Sequence, residues 1–336
     1  MISIIVAVKN DVVHIEKCID SIENQDFADY EIIVVDGQST DGTLELLEKR
    51  LANNNSFILM HNPKGNAAAG RNIGIKKARG QIVAFLDSDA YANKDWLFNI
   101  ESRFSYMNNT NIAGVGGPNL PPANQPFLSN VFVKVMASPL ASGGRFNPSI
   151  QHKMLKDAKL VKHIPTCNLA IKRNIFCENG WFDERFTKGH DFELSMRLNK
   201  KGYLFFYDPE IKVWHYRKPT IRSFAKQIFE WGQARMLLMK KHGLSFNCLL
   251  PLFFLLLLMS YFILSIFYPL NKQIVAILIY TYIFAIFLES ARISSGRMKM
   301  YFYGIFLLPV IHISYTVGLT SGIFKKLRST YNILII

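Results

Sequence analysis

The sequence predicts an α/β protein, a largely parallel sheet flanked by helices, followed by a C-terminal region of membrane-crossing helices. Three observations lead there. Four short apolar runs, Ser3–Val8, Glu31–Val35, Phe57–Met60 and Gln81–Leu86, end at polar or glycine residues, which suits strands buried on both faces of a sheet. The segments between them repeat apolar residues at helical spacing. Finally, Cys248–Tyr268 runs for 21 residues without a charge, long enough at about 1.5 Å per residue to cross the roughly 30 Å hydrocarbon layer.

Each element follows from its residues. The N-terminus, MISIIVAVKND, lacks a basic leader and has only a short apolar run before Lys9, so it is a first strand and not a signal peptide. DVVHIEKCIDSIENQ places Val12, Ile15, Ile19 and Ile22 on one helical face, and DGTLELLEKRL does the same with Leu44, Leu47 and Leu51. The alternation of strand and helix places ligands at the carboxyl ends of the strands. From Asn108 to about Pro165 periodicity fades among Gly, Pro, Asn and Ser, so this stretch reads as a loop-rich, substrate-facing insertion or lid. A helix is expected from near Asp191 to Gly202, a natural residue just past a helix end. TIRSFAKQIFEWGQARMLLMKK carries Ile221, Phe224, Ile228 and Trp231 on one face, which reads as an amphipathic helix at a membrane surface, with packing on its own domain as the plainer alternative.

The apolar tail continues with Ile274–Leu288, closed by Glu289 and Arg292 one turn apart, and Tyr301–Phe324, broken by Pro309 and two glycines. Lys240 and Lys241 precede the first span, and Arg292, Arg297 and Lys299 follow the second, so the positive-inside rule makes a hairpin with both ends in the cytoplasm. Lys325, Lys326 and Arg328 then conflict with a simple third crossing. Either that segment re-enters and returns, or its charges are translocated.

Composition limits the function classes. The 336 residues are 50% hydrophobic and 13% aromatic, with mean hydropathy +0.13, too apolar for a disordered chain. The net charge is +14, but residues 1–150 carry 13 Lys/Arg against 15 Asp/Glu, residues 151–247 carry 19 against 9, and residues 248–336 carry 7 against 1. The α/β half is net negative, which argues against nucleic acid as a partner; the positive charge belongs beside the apolar tail and an anionic leaflet. Cys18, Cys167, Cys177 and Cys248 form no C-x-x-C pair or zinc-spaced cluster, which fits a reducing compartment.

Chemistry-bearing residues cluster after the strands. The second strand ends in EIIVVDGQSTDGT, where Asp36 can accept hydrogen bonds from a base or ribose and Gly37, Ser39, Thr40, Asp41 and Gly42 turn into a helix; a simple turn with Thr40 or Asp41 as helix N-cap is the competing reading. The fourth strand ends in QIVAFLDSDAY, whose Asp87 and Asp89 project from one face and suit a divalent cation bridging to phosphate. Upstream, KGNAAAGRNIGIKKARG offers Arg71 for a diphosphate, or else a solvated basic helix.

Together VAVKN, IIVVDGQSTDGT, GNAAAGRNIGIKKARG and FLDSD resemble the nucleotide-sugar half of the family 2 inverting glycosyltransferases of the GT-A fold, and ENGWFDERFTKGHDFELSMRLNKKG is similar to their acceptor half. The tail adds a likeness to membrane members that build exopolysaccharides, including the succinoglycan type, and lipid-linked glycans. The resemblance implies that Asp36 contacts the nucleoside, Asn10, Ser39 and Arg71 line the donor pocket, Asp87 lies near the ribose, and Asp89 ligates Mg²⁺ or Mn²⁺ on the sugar diphosphate. Asp191 is the implied general base, with a helix N-cap as its plain alternative and Glu193 as a substitute base. His190 stands where the family has an acidic residue. His215 is a third metal ligand or, the favoured reading, an ordinary strand histidine; Trp181 is core or an acceptor platform.

The implied organisation is a GT-A catalytic domain over 1–235, with a nucleotide-sugar half to 107 and an acceptor half from 108. An interfacial helix over 219–242, membrane segments at about 248–268, 274–291 and 301–324, and a basic, apolar tail over 325–336 complete it. The implied enzyme is multi-pass in the cell membrane with its catalytic domain in the cytoplasm. It moves a sugar from a UDP- or GDP-linked donor to a hydroxyl of a lipid-linked saccharide, for polysaccharide or glycoprotein glycan assembly. Transfer to a polyprenyl phosphate is the nearest rival. The Q-x-x-R-W signature of processive synthases is absent, VAVKNDVV lacks the Gly-rich basic signature of nucleotidyltransferases, and a non-catalytic scaffold would bind no nucleotide in a metal-dependent way.

Overall fold

The computed structural model describes residues 1–53, 56–107, 111–142, 155–267 and 269–325. Parts of the loop-rich stretch (108–110 and 143–154) and the tail beyond Lys325 lie outside the described residues. The chain divides into two units: Met1–Asn124 with Pro148–Tyr216, and Gln125–Asn147 with Arg217–Ile336.

In the first unit β1 (Ile2–Val8), α1 (Ile15–Glu23), β2 (Tyr30–Asp36), α2 (Thr43–Asn53), β3 (Ile58–His61), α3 (Ala67–Lys77) and β4 (Ile82–Leu86) alternate as the apolar pattern predicts. β1 lies between β2 and β4, parallel to both, and β3 adds in parallel beside β2. The register pairs Val8 with Asp36, so the carboxyl ends of β1 and β2 finish level. Ile2, Ile4, Val6 and Val8 pack on one side with α1 residues Ile15, Cys18, Ile19 and Ile22, and Ile5 packs on the other with Ile75 of α3. Such two-sided burial needs near-continuous apolar strands, which these are.

The remainder contains β5 (Ala90–Ala92), α4 (Trp96–Tyr106), β6 (Ile112–Gly116) and β7 (Asn119–Leu120). Thus the stretch after Asn108 is not all loop. The signal that misleads is glycine: a Cβ at Gly114 or Gly116 would lie 2.4 or 2.2 Å from the carbonyl oxygen of Ala170 or Asn168. Glycine here permits close backbone approach within a sheet and does not mark a turn.

Later in the chain come α5 (Phe127–Met136) and α6 (Pro139–Ser142), then β8 (Lys159–Val161), β9 (Asn168–Lys172), α7 (Arg173–Asn179), α8 (His190–Lys200), β10 (Leu204–Tyr207) and β11 (Val213–His215). The large sheet has the order β3-β2-β1-β4-β9-β6-β10-β8, and β5-β11-β7 form a small one. β9 runs antiparallel between β4 and β6. Its fully buried Asn168 accepts from Trp96 Nε1 at 2.9 Å and donates to the carbonyls of Pro118 and Ile211 at 3.0 and 2.7 Å, so one amide ties four segments together.

The second unit holds α5 and α6 with four long helices, α9 (Ile221–His242), α10 (Phe246–Phe267), α11 (Pro269–Ser294) and α12 (Met298–Phe324). A capping box between Thr220 and Ser223 starts α9. Pro309 does not break α12, which runs through it as one helix. Gln273–Ser294 and Met298–Phe324 are long and apolar enough to cross a membrane, and Cys248–Leu264 is a shorter apolar stretch. Glu289 and Arg292 form the expected one-turn pair, with two contacts of 2.6 and 2.7 Å.

Candidate active site

Two groups of residues gather at the carboxyl ends of the strands, both within the first unit. The first lies where β1 and β2 end. Asp36 is fully buried, and its Oδ2 accepts the backbone N–H groups of Gln38 and Ser39 at 2.9 and 3.1 Å. Its Oδ1 is buried with no hydrogen-bond partner among the described residues, an orphan acceptor that calls for a donor group. Asn10, at φ 53, accepts the Thr40 N–H on Oδ1 at 2.8 Å, while its own N–H donates to Ser39 Oγ at 2.9 Å. Asn10, Asp36 and Ser39 therefore meet in one cradle. The turn after β2 is pinned by Asp41, which accepts from the N–H groups of Thr43 and Val12 at 3.1 and 3.2 Å.

The second group begins with Asp87 and Asp89 after β4. β11 pairs with β5 so that His215 lies opposite Ala90, and His215 Nε2 approaches Asp89 Oδ1 to 2.9 Å. Asp87, Asp89 and His215 each offer one ligand atom, all within 4.8 Å of one another, and all three are half-buried. The plain strand-histidine reading of His215 thus misses what the small sheet does with it. Two carboxylates and an imidazole within this span suit a divalent cation. A distance of 2.9 Å requires a shared proton between Nε2 and Oδ1, and a cation would take that proton's place.

Arg71 links this group to α8. It is 5% exposed, and its Nη2 donates to Asp87 Oδ1 at 2.6 Å while Nη1 donates to His190 Nε2. His190 is therefore neutral, its Nδ1 carrying the proton. Burial and then the Arg71 charge push its pKa down to about 3. A neutral imidazole accepts one bond from the guanidinium where an acidic residue would compete for its charge, which leaves Asp87 as the anion Arg71 pairs with.

Asp191 follows in the first turn of α8. The helix N-cap is Gly189, at φ 75, so Asp191 is not the cap. Its side chain is 23% exposed, with Oδ2 4.0 Å from His163 Nε2, and Oδ1 accepts the Phe192 N–H at 2.8 Å. Burial would raise this carboxyl, but His163 above all, with the Phe192 N–H and Arg71, holds it below its ordinary value. His163 is itself oriented: Ser195 Oγ donates to the Asp191 carbonyl at 2.9 Å, so it accepts from His163 Nδ1 at 2.8 Å. Glu193 is fully buried, with both oxygens accepting from Arg197 Nε at 2.9 and 3.0 Å, an arrangement that leaves it no route to act as a base. Trp181 packs half-buried against the core beside Phe176.

Several residues escaped the sequence reading. Ser88 donates to Asp11 Oδ2 at 2.6 Å, and His14 Nδ1 meets Asp11 Oδ1 at 2.6 Å. Burial raises the Asp11 carboxyl, these two bonds lower it, and the Asp89 charge raises it, with a net upward shift. The signal was adjacency: Asp11 follows Asn10 and Ser88 lies within DSD. His163, in a loop without motif, had no such signal.

Residues 3–176 match the family model for Glycosyl transferase family 2. A Methanococcus voltae protein, dolichyl N-acetyl-alpha-D-glucosaminyl phosphate 3-beta-D-2,3-diacetamido-2,3-dideoxy-beta-D-glucuronosyltransferase, is 27% identical over 96% of this chain and 97% of its own length. Glycosyltransferase AglE of Haloferax volcanii is 26% identical over 70% of this chain and 73% of its own. Among solved structures, the mannosyltransferase PcManGT from Pyrobaculum calidifontis, in complex with GDP-Man and Mn²⁺, superposes with a TM-score of 0.59 over 97% of this chain and 87% of that one, at 16% identity. The fold is accordingly GT-A-like.

Proposed function

The chain belongs to glycosyl transferase family 2, and from that premise we propose that it transfers a sugar, with inversion, from a nucleotide sugar to a hydroxyl of a lipid-linked saccharide at the cytoplasmic face of the membrane. The observation that carries the reading is the convergence of Asp87, Asp89 and His215 within 4.8 Å, joined through Arg71 and His190 to Asp191. Glycosyl transfer needs both ends of that arrangement.

Asp36 holds the nucleoside: a base N–H donating to Oδ1 would satisfy its orphan acceptor, and Asn10 and Ser39 shape the wall beside it. Arg71, steadied by Asp87 and His190, places a cation beside the diphosphate. A bound Mg²⁺ or Mn²⁺, held by Asp89 and His215 with Asp87, supplies charge neutralisation on the leaving diphosphate. Asp191 accepts the acceptor hydroxyl's proton. As that oxygen bonds to the anomeric carbon, the bond from this carbon to the diphosphate oxygen breaks, and the nucleoside diphosphate leaves with the electron pair. Attack opposite the leaving group inverts the configuration.

The lipid-linked acceptor is supported by the Methanococcus voltae relative, whose name gives a dolichyl-linked sugar phosphate as its acceptor. The two long apolar helices and the basic residues flanking them support a membrane setting with the catalytic unit on the cytoplasmic side. Transfer of radiolabel from UDP- and GDP-sugars to lipid extracts tests this reading. Product should form with Mn²⁺ or Mg²⁺ and fall to background with EDTA. Undiminished transfer in EDTA would remove the metal from the mechanism.

His163 gives a pH test. Asp191 must be ionised to act as base, so kcat/KM rises with pH as it loses its proton, and its lowered pKa keeps this acidic limb low. His163→Gln removes the largest of the influences that lower it, and the limb should move to higher pH. A fall in kcat/KM with an unmoved limb would make His163 structural only.

A further inference from the structure

Helix α12 is about 40 Å long at 1.5 Å per residue, enough to cross a bilayer, so length does not decide where it lies. Its partners do. Against α11 its first half makes three contacts: the Phe287 and Tyr301 rings are 6.4 Å apart, a Cβ at Gly304 would sit 3.0 Å from Ser290 Oγ, and Tyr282 Oη meets His312 Nδ1 at 2.8 Å. Beyond His312 it reaches the first turn of α10, where Tyr315 Oη donates to the Cys248 carbonyl at 3.3 Å. α12 thus passes from the C-terminal half of α11 to the beginning of α10, across the end of the hairpin that those two helices form. Further along the hairpin, Phe262, Ile266 and Phe267 of α10 and Ile277 and Tyr280 of α11 are all more than 60% exposed.

The last part of α12 packs against α9. A Cβ at Gly318 would lie 2.1 Å from the Phe229 carbonyl oxygen, one at Gly232 would lie 2.3 Å from the Tyr315 oxygen, and one at Gly322 would lie 2.7 Å from Met236 Cβ. From Gly232 at Tyr315 through Met236 at Gly322 to Lys240 at Lys325 residue numbers rise together, so the two helices are parallel, with glycines allowing the close approach that membrane helices also use. Lys240 Nζ closes the pair by donating to the Gly322 and Lys325 carbonyls at 3.0 and 3.1 Å. Over its 22 residues α9 carries Arg222, Lys226, Glu230, Arg235, Lys240 and Lys241, too many charges for the hydrocarbon layer. Whatever depth α9 keeps, residues 315–325 keep as well, and that depth is the polar interface.

The other end of α12 begins beside Arg297 and Lys299. Between the two ends Met298, Phe302, Phe306, Ile313, Val317 and Phe324 are each at least 52% exposed, spaced four or seven residues apart, so they form one stripe along the helix. An apolar stripe bounded at both ends by cations matches an anionic lipid surface.

On the membrane setting proposed above, we infer that α10 and α11 alone cross the bilayer and that α12 lies in the interfacial plane with this stripe against an anionic leaflet. Both ends of the chain then face the same side, and the basic residues after Phe324 need no translocation.

The test is made on the full chain with tags at the N-terminus, between α10 and α11, and at the C-terminus, digested by protease in sealed inside-out vesicles. The two terminal tags should be lost together and the middle tag protected. A protected C-terminal tag beside a digested N-terminal one would mean three crossings and overturn the inference. Loss of all three would overturn it by removing the spanning hairpin, and with it the membrane-spanning reading, while leaving glycosyl transfer in place. Lys325→Cys offers a check without an inserted tag: an impermeant maleimide should label it from the same side as native Cys177, which is free and exposed, and labelling from the opposite side overturns the inference.

Discussion

Asp191→Asn lowers kcat by about 10²- to 10⁴-fold, the usual contribution of a positioned general base, equivalent to roughly 3–5 kcal/mol of barrier. Asparagine keeps the side chain's shape, and its Oδ1 can still accept the Phe192 N–H, so the first turn of α8 should persist. What disappears is a carboxylate held ionised by His163, the Phe192 N–H and Arg71 against the opposing effect of burial. Nucleotide binding should survive, because Asp36, Asn10 and Ser39 lie in the separate cradle after β1 and β2. Single-turnover rates with a lipid-linked saccharide, alongside nucleotide titration, make the measurement. Full turnover in this variant would point to an acceptor that is already anionic, a polyprenyl phosphate, and the hydroxyl-acceptor reading would be lost.

Asp89→Ala removes transfer almost entirely, by about 10³-fold or more, since metal stabilisation of a leaving diphosphate is worth several kcal/mol. The substitution deletes one of the two ligands that meet at 2.9 Å and leaves His215 facing Asp87. Its backbone role survives, because the Tyr216 N–H bonds the Asp89 carbonyl at 2.9 Å, so the contact between this turn and the residue after β11 does not depend on the carboxylate. The defect should therefore appear as loss of the Mn²⁺-dependent part of UDP or GDP affinity, with little change in the thermal unfolding midpoint. If Asp89→Ala retains metal-stimulated binding, the cation is held elsewhere.

Much of the fold was legible because β1 to β4 and the helices between them are governed by local pattern. Runs such as IIVAV and EIIVV are apolar on both sides because helices cover both faces of the sheet. The pattern failed where composition served packing instead. Gly114 and Gly116 look like loop residues but are strand residues that leave room for β9, and Pro309 looks like a break but lies inside α12. In the site, Asp87 and Asp89 were visible as a pair two residues apart, and Asp36, Arg71 and Asp191 stood out through the motifs around them. Glu193 illustrates the limit: it differs from Asp191 by two positions in sequence, yet Arg197 engages both its oxygens in the interior.

By itself the sequence determined the alternation of strands and helices, the uneven distribution of charge and the apolar tail, since each depends on residues close together in the chain. Only the tertiary structure decided that His215 joins Asp87 and Asp89, that His190 takes up Arg71, and that His163 faces Asp191. It also decided which helix α12 follows. These are pairings between segments far apart in sequence, and no periodicity encodes them. They arise because β11 pairs with β5, because α8 begins where Arg71 of α3 can reach it, and because glycines let α9 and α12 pack closely side by side.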